Sequence, residues 1–493
     1  MARDDGDYPF LDYFWYLRCG IVGNIHCGFH ESFRFNARSQ VMRRAAVYGL
    51  GIAGQATALA MSARGIGVRV GDDDESENLQ NFAESIDSPF TCVHDAKTLR
   101  AFLQNVEVLV PAPGVAPSHP VILAARAQRI AVRSEIDIAY EWEQDRVGGS
   151  RPILAVTGTD GKTTTTMLAA ALIRGAGKRV AEVGNTDLPF IAALEQNVDV
   201  FVVECSSFRL EFTQMFRASA SVWLNLAPDH LDWHENLENY VAAKQKIWAH
   251  PNGGDVAIVP VENEMIREAA RARGLRTVTF GLTGADYCVK DGVLVGPQGS
   301  ICDVSNLWRA LPHDITNALA ACALVLESGV ADRTTLASSL SSFVLAHHRI
   351  ELVMTNGGVC WYDDSKATSP HASLTAIKGF ESIVLIAGGR NKDLDLTLLA
   401  SEPKRMRGVV AIGEDAALVE AAFQGICEIR SAQTMKQAVE HAASMAKDGD
   451  SVLLSPACTS YDWYANYNER GDDFQQCVRD LCSNQSINQG SRQ

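Results

Sequence analysis

Residues 153–174 read ILAVTGTDGKTTTTMLAAALIR, and this stretch decides the fold. The apolar run Ile153–Val156 predicts a buried strand, and the Thr- and Ala-rich segment from Thr164 to Arg174 predicts a helix. Gly158 and Gly161 lie in the turn between them. A strand, a glycine-rich turn and a helix in this order are typical of proteins built on a parallel β-sheet.

This turn carries the groups that bind a nucleoside triphosphate. Backbone N–H groups at a helix N-terminus can surround a phosphate, Lys162 adds a cation, and the Thr163 hydroxyl suits Mg²⁺. The usual phosphate-binding loop has glycine at the position of Val156, and Gly158 supplies the flexibility instead. The pattern predicts an ATP site formed by Gly158, Thr159, Asp160, Gly161, Lys162, Thr163 and Thr164.

A similar unit precedes this one in the chain. Ala46–Tyr48 predicts a strand, residues 49–54 (GLGIAG) a tight turn, and Gln55–Arg64 a helix. Asp72 ends the next predicted strand, 23 positions after Gly49, where dinucleotide-binding folds place an acid on a ribose hydroxyl. The unit predicts a Rossmann-like domain and by itself leaves open whether the ligand contains nicotinamide.

Two later strands end in metal-binding residue types. The predicted strand Val198–Val203 is followed by Glu204, and the predicted strand Val222–Leu226 is followed by His230. The carboxyl ends of parallel strands face one crevice in an open sheet. We therefore expect Glu204 and His230 to lie near the phosphate-binding loop as metal ligands.

Length and composition limit the alternatives. At about 150 residues per domain, 493 residues indicate about three domains. The net charge of −15 argues against nucleic acid or an anionic membrane as the main partner. No apolar run approaches the roughly 18 residues of a membrane span, and no secretory signal pattern opens the chain. The 12 cysteines lack a Cys-x-x-Cys pair, so we expect reduced thiols in a cytoplasmic monomer without membrane insertion.

The predicted fold class is α/β with three domains. The expected divisions are residues 1–41 as an extension of unknown role, 42–147 as a Rossmann-like domain, 148–345 as a central P-loop-type ATPase domain, and 346–493 as a second Rossmann-like domain. The last contains predicted strands at Trp361-Tyr362, Ile383–Ile386 and Val452–Leu454. In the extension, the spacing of Cys19, His26, Cys27 and His30 fits no familiar zinc pattern, so metal binding is disfavoured there.

Seven motifs together resemble the Mur ligases. They are, in order, residues 157–163 (TGTDGKT), 204–208 (ECSSF), 225–233 (NLAPDHLDW), 240–244 (YVAAK), 313–317 (HDITN), 348–349 (HR) and 363–368 (DDSKAT). The resemblance covers about Ala45 to Leu481. It implies an ATP-dependent ligase that adds glutamate to UDP-N-acetylmuramoyl-L-alanine through an acyl phosphate, in peptidoglycan precursor synthesis. It favours D-glutamate, with ligases that add L-glutamate to the same nucleotide as the alternative.

The resemblance also implies residue roles. It makes Lys162, His230, Lys244 and Lys366 catalytic, and it adds Asn317, Arg349 and Asp364 to the ATP site. It assigns Gly51, Ile52, Ala53, Asp72 and Asn185 to the UDP substrate, and Thr368, Lys392, Ser460 and Tyr467 to glutamate. It assigns Mg²⁺ to Thr163, Glu204, His230 and Lys244, with Lys244 carrying a CO₂-derived carbamate. Asp187, Arg209 and Ser369 depart from the family's pattern, and they concern the acceptor and glutamate pockets.

Two other classes of protein remain as alternatives. A nicotinamide-dependent oxidoreductase would leave Lys162, Glu204, His230 and Lys244 without a role. A catalytically silent nucleotide-binding protein would be expected to have lost at least one of these four residues. The sequence therefore favours the ligase.

Overall fold

The computed structural model describes residues 42–392 and 394–490. The extension of residues 1–41, with Cys19, His26, Cys27 and His30, lies outside the described residues. Three mainly parallel sheets follow one another along the chain, each with helices on its faces. The predicted α/β class is confirmed.

The first sheet has the strand order β3-β2-β1-β4-β5, which is the order of a dinucleotide-binding fold. Its strands, all parallel, are β1 (Arg44–Tyr48), β2 (Gly67–Asp72), β3 (Phe90–Cys92), β4 (Val108–Pro111) and β5 (Ala131–Val132). Its helices are α1 (Ile52–Ala63), α2 (Glu77–Ser85), α3 (Ala96–Leu103), α4 (Pro120–Ala127) and α5 (Glu135–Gln144).

The turn between β1 and α1 requires glycine. Gly49 has a left-handed φ of +85°, and a Cβ on Gly54 would lie 1.9 Å from the carbonyl oxygen of Gly49. Helix α1 begins at Ile52, three residues before the predicted start, because the Gln55 N–H already donates to the carbonyl oxygen of Gly51 at 2.9 Å. The turn is therefore shorter than the sequence indicated.

The central sheet has the order β11-β10-β9-β6-β8-β7, and an antiparallel sheet β12-β13-β14 accompanies it. The strands are β6 (Ile153–Thr157), β7 (Val180–Gly184), β8 (Val200–Glu204), β9 (Ala220–Trp223), β10 (Val256–Pro260), β11 (Arg276–Phe280), β12 (Cys288–Lys290), β13 (Val293–Gly296) and β14 (Gly299–Asp303). The helices are α6 (Lys162–Gly175), α7 (Phe190–Ala193), α8 (Ser207–Glu211), α9 (Leu231–His234), α10 (Leu237–Gln245), α11 (Glu264–Ala272), α12 (Pro312–Glu327) and α13 (Leu336–Ser341). Strand β6 is fully buried between β8 and β9, which explains its unbroken apolar sequence.

The third sheet has the order β15-β16-β20-β17-β18-β19, with only β15 antiparallel to its neighbour. The strands are β15 (Glu351–Asn356), β16 (Val359–Asp363), β17 (Ile383–Gly388), β18 (Met406–Ile412), β19 (Glu428–Ser431) and β20 (Ser451–Ala457). The helices are α14 (Pro370–Ile377), α15 (Ala416–Phe423), α16 (Met435–Met445) and α17 (Tyr467–Gly490). Within the described ranges, no helix combines the length and apolar character needed to cross a bilayer.

Buried contacts join the three units. The first and central sheets share one apolar core, and the Arg151 guanidinium pairs with Glu143 at 2.6 Å where they meet. The Arg309 guanidinium pairs with Asp314 at 2.6 Å and donates to the carbonyl oxygen of Ile350 at 2.5 Å, at the start of the third unit. Hydrogen bonds of charged side chains therefore connect neighbouring units.

Candidate active site

The phosphate-binding loop leads directly from β6 into α6. Gly161 has a left-handed φ of +77°, and a Cβ there would lie 2.6 Å from the amide oxygen of Asn317. Glycine is therefore required at this position. The first N–H groups of a helix have no acceptor within the helix, so the N-terminus of α6 can hold an anion.

Asn225 holds this loop in shape. Its amide oxygen accepts hydrogen bonds from the N–H groups of Thr159 and Asp160, both at 2.9 Å, and its amide nitrogen donates to the Asp160 carbonyl oxygen at 3.1 Å. Strand β9 therefore ends at Trp223 rather than at the predicted Leu226, because Asn225 bonds to the loop. With their N–H groups occupied, Thr159 and Asp160 can contact ATP only through other atoms. A polar residue at the carboxyl end of a strand was the available signal for Asn225.

Two lysines border the loop. The Lys162 ammonium donates to the carbonyl oxygens of Gly158 and Thr159 at 3.0 and 2.7 Å. The Lys366 ammonium lies 3.7 Å from the ring centre of Tyr467, and burial lowers the pKa of Lys366 to about 8. The charges of Arg349 and Lys162 also lower this pKa, and the charge of Glu204 opposes them.

Glu204 is the carboxylate best placed for a metal. It ends β8 and is 1% exposed, and its Oε1 accepts from the Asn185 amide at 3.0 Å. Its Oε2 is buried and has no hydrogen-bond partner in the described structure. An unpaired buried carboxylate oxygen is costly, and a cation would satisfy it. Glu204 therefore fits a Mg²⁺ ligand.

His230 is held as a neutral imidazole. Burial lowers the pKa of His230 to about 3, with the charge of Asp229 opposing this shift and those of Lys392, Lys162 and Lys244 contributing to it. Its ring packs edge-on against Phe208, with ring centres 4.6 Å apart. Neutral imidazole is the form that binds a metal.

Lys244 lies beneath the loop. It is 1% exposed, and its ammonium donates to the Gly158 carbonyl oxygen at 2.6 Å and lies 4.5 Å from the ring centre of Tyr240. Burial lowers the pKa of Lys244 well below its usual value, and the charge of Lys162 adds to this. The lowered pKa of Lys244 favours its neutral amine form.

The first cleft, of about 540 Å³, lies between the first and central sheets. All five residues that the sequence assigned to the UDP substrate line it, namely Gly51, Ile52, Ala53, Asp72 and Asn185. The carboxylate of Asp72 accepts from the Leu50 N–H at 2.6 Å, so this side chain also holds the glycine turn. Because the Asn185 amide also binds Glu204, the first cleft adjoins the phosphate-binding loop.

The second cleft, of about 150 Å³, lies between the central and third sheets. The sequence-predicted residues that line it are Asp160, Gly161, Thr164, Asn317, Arg349, Asp364 and Lys366. Burial raises the pKa of Asp364 to about 7, and the Ser455 hydroxyl donates to its carboxylate at 2.7 Å. Gly158, Thr159, Lys162 and Thr163 belong to the loop but are not part of the cleft wall.

The residues assigned to glutamate follow neighbouring strands. Thr368 comes after β16, Lys392 after β17 and Ser460 after β20, and these three strands are adjacent and parallel. Tyr467 begins α17 and contacts Lys366 through its ring. The Lys392 ammonium lies 3.4 Å from an Asp229 carboxylate oxygen of the central unit. These residues therefore lie at the carboxyl ends of the strands, on the side of the third sheet that faces the central unit.

Two of the unusual residues have visible roles. The Ser369 hydroxyl accepts from the Ala372 N–H at 3.3 Å and caps α14. The charge of Asp187 raises the pKa of Lys366 and so opposes the effect of burial. Ser369 therefore fixes the start of α14, whose residue Ala372 lines the second cleft.

His371 belongs to none of the sequence motifs, and it joins two units. Its Nδ1 is hydrogen-bonded to the carboxylate of Asp160 in the phosphate-binding loop. Burial lowers the pKa of His371, but the bond to Asp160 outweighs burial, so the pKa is raised overall. Of the other nearby charges, Lys378 lowers this pKa and Asp229 raises it. The same bond lowers the pKa of Asp160. His371 is thus a charged link between α14 and the loop.

The link is expected to weaken in alkali. Since the pKa of His371 is raised when paired, the pair is complete below its usual pKa near 6.5 and is lost as pH rises through the raised value. The protection factor for hydrogen exchange at the start of α14, which is corrected for the intrinsic rise of exchange with pH, should fall about fivefold across this range. In His371→Gln this protection factor should not change with pH over that range. Equal pH dependence in both proteins would contradict this role.

Family models match most of the described chain. A MurD-like N-terminal domain of Mur ligases matches residues 43–134, the Mur ligase middle domain matches 156–325, and the Mur ligase glutamate ligase domain matches 348–458. The chain belongs to the Mur ligase family. It is 37% identical to the UDP-N-acetylmuramoylalanine-D-glutamate ligase of Streptomyces coelicolor, over 88% of this chain and 97% of that protein. The ligase of the same name from Nitrosococcus oceani is 34% identical, over 90% of this chain and 98% of that protein.

Solved structures agree on the fold. A UDP-N-acetylmuramate-alanine ligase from Thermotoga maritima superposes with a TM-score of 0.56 at 19% identity, covering 89% of this chain and all (100%) of that one. A MurF ligase from the same organism, in complex with ADP, gives a TM-score of 0.56 at 17% identity, covering 77% of this chain and 95% of that one. The three-domain architecture of Mur ligases is therefore shared.

Proposed function

We propose that this protein joins D-glutamate to UDP-N-acetylmuramoyl-L-alanine in peptidoglycan precursor synthesis, at the expense of ATP, and releases ADP and phosphate. One observation carries the proposal: Asn185 lines the first cleft, and its amide binds Glu204, whose charge acts on Lys366 of the second cleft. An acceptor in the first cleft and ATP in the second would meet at this point. The relatives named for this reaction support the choice.

The chemistry begins with two anions. A carboxylate oxygen of the acceptor attacks the γ-phosphorus, the bond to the ADP oxygen breaks, and an acyl phosphate forms. Lys162 and Lys366 offset the repulsion and stabilise the charge that develops during transfer. The amine of glutamate then attacks the acyl carbon, and phosphate leaves with the bonding electrons while the amine loses a proton.

Mg²⁺ fits the residues present. Thr163, Glu204 and His230 would hold it, because Glu204 has an unpaired buried oxygen and His230 is neutral. The bound ion supplies charge neutralisation on phosphate oxygens. We further propose that the neutral amine of Lys244 attacks CO₂ and loses a proton, giving a carbamate whose oxygens are suitable ligands. The carbamate N–H could still donate to the Gly158 carbonyl oxygen, as the ammonium does.

The glutamate pocket needs one charge and several hydroxyls. Lys392 suits the side-chain carboxylate as a point charge, and Thr368, Ser460 and Tyr467 supply hydroxyl groups for the rest of the molecule. Its position beside Asp229 places Lys392 at the boundary with the central unit. An amino acid without the second carboxylate should be rejected, because it would lack the group that Lys392 is suited to bind.

We propose that the enzyme acts as a cytoplasmic monomer. Its nucleotide substrates are those of the cytoplasm. The relatives named as ligases support an activity on soluble metabolites.

The decisive assay measures phosphate release from ATP with UDP-N-acetylmuramoyl-L-alanine and each enantiomer of glutamate. We expect turnover with D-glutamate at least about a hundredfold above that with L-glutamate, since a built polar site rejects a misplaced group strongly. Preference for L-glutamate would reassign the substrate and keep the mechanism. Binding of NAD without binding of ATP would contradict the proposed function altogether.

A further inference from the structure

Arg209 is a buried cation at the wall of the first cleft. It lies in α8, its side chain is 7% exposed, and Nη1 donates to the Glu135 carboxylate at 2.7 Å. The other oxygen of Glu135 accepts from the Ile191 N–H at 2.6 Å. Glu135 thus fixes the guanidinium from one side, and the buried Nε of Arg209 has no acceptor in the described structure.

The charges of the first cleft are divided between its two sides. Asp72 and Asp73 lie on the side of the first sheet, where Asp73 accepts from the Tyr48 hydroxyl and lies 3.2 Å from His119. Among the described residues that line the cleft, Arg209 is the one arginine or lysine. An anion should therefore avoid the aspartates and lie toward Arg209.

A second feature points to the same position. The turn before α1 brings Gly51, Ile52 and Ala53 to the cleft wall, so the N-terminus of this helix faces the same space as Arg209. Backbone N–H groups at a helix start and an arginine fork are both suited to phosphate oxygens. Neither would be expected to recognise an uncharged ribose or base.

We propose that Arg209 binds the diphosphate of the UDP-linked substrate, opposite the N-terminus of α1, with the nucleoside on the side of Asp72 and Asp73. The inference rests on the proposed function, because that function supplies the uridine diphosphate. The guanidinium keeps its charge at any physiological pH and can bind two phosphate oxygens at once. Glu135 is then a positioning residue that fixes the fork.

The test compares the binding of uridine and UDP to the full-length protein. Arg209→Gln should weaken UDP binding about ten- to a hundredfold, as expected for the loss of hydrogen bonds to a charged group, and leave uridine binding within about twofold. Arg209→Lys, which retains the charge and can still pair with Glu135, should lose less. Calorimetry for UDP and NMR titration for uridine give both values.

Glu135→Gln is the matched control, because it removes the fixing carboxylate and keeps the arginine. It should weaken UDP binding less than Arg209→Gln does. A merely structural role for Arg209 predicts that uridine and UDP binding fall together, in parallel with the melting temperature, in both variants. That result, or unchanged UDP binding in Arg209→Gln, would overturn the inference. Absence of UDP binding to the wild-type protein would instead overturn the proposed function.

Discussion

Lys162→Ala is expected to lower the rate of ADP formation by about 10³- to 10⁵-fold, the range of cations that stabilise phosphoryl transfer. The Lys162 ammonium contacts two carbonyl oxygens of the loop and no carboxylate in the described structure. It is therefore positioned to turn toward a phosphate when one is bound. The loss of two hydrogen bonds at a half-buried site should change the free energy of unfolding by only about 1 to 3 kcal/mol.

The control for this variant is Lys178→Ala, which removes an exposed lysine beyond the far end of the same helix. It should retain wild-type turnover. ADP formation is measured at saturating acceptor and glutamate, and circular dichroism checks the fold of both variants. Turnover near the wild-type rate in folded Lys162→Ala would remove the lysine from the transfer step.

The three-domain α/β fold could be predicted because its signals are local. Strand β6 is a continuous apolar run since it is buried on both faces, and the turn after it contains glycine where a side chain would collide with Asn317. The start of α1 and the end of β9 were each misplaced by three residues. At both ends a hydrogen bond to the neighbouring turn decides the boundary, and sequence periodicity does not record such bonds.

The residues that line the two clefts could be predicted from the sequence, and their contacts less so. Glu204 and His230 were expected near the loop because both follow parallel strands; Glu204 is buried, and the His230 side chain is 31% exposed. The hydrogen bonds of Asn225 to the loop and of His371 to Asp160 join residues far apart in the sequence. No local pattern reports such pairs, because the first depends on the pairing of two strands in the central sheet and the second on how two units pack.

Lys244→Ala is expected to be almost inactive because the proposed carbamate would be lost. An ammonium at this position would repel the Mg²⁺ that Glu204 and His230 are suited to bind. The structure favours the neutral amine that reacts with CO₂, since Lys244 is buried and its pKa is well below the usual value. Removing the side chain also removes its hydrogen bond to the Gly158 carbonyl oxygen, so a modest loss of stability should accompany the loss of activity.

Small carboxylates separate a missing ligand from a damaged fold. Acetate should restore Lys244→Ala by about tenfold or more by supplying an anionic oxygen in the space the side chain left, and it should not raise the activity of the wild-type protein. Lys246→Ala is the matched control, because Lys246 lies two residues along the chain and pairs with Glu211 at 3.3 Å. That variant should keep most of its activity and show no response to acetate. If Lys244→Ala is fully active, or if it is folded, inactive and does not respond to any small carboxylate, Lys244 does not supply an anionic ligand. The carbamate also requires a carbon-13 carbamate resonance in wild-type protein exposed to labelled bicarbonate. This resonance should be absent from Lys244→Ala.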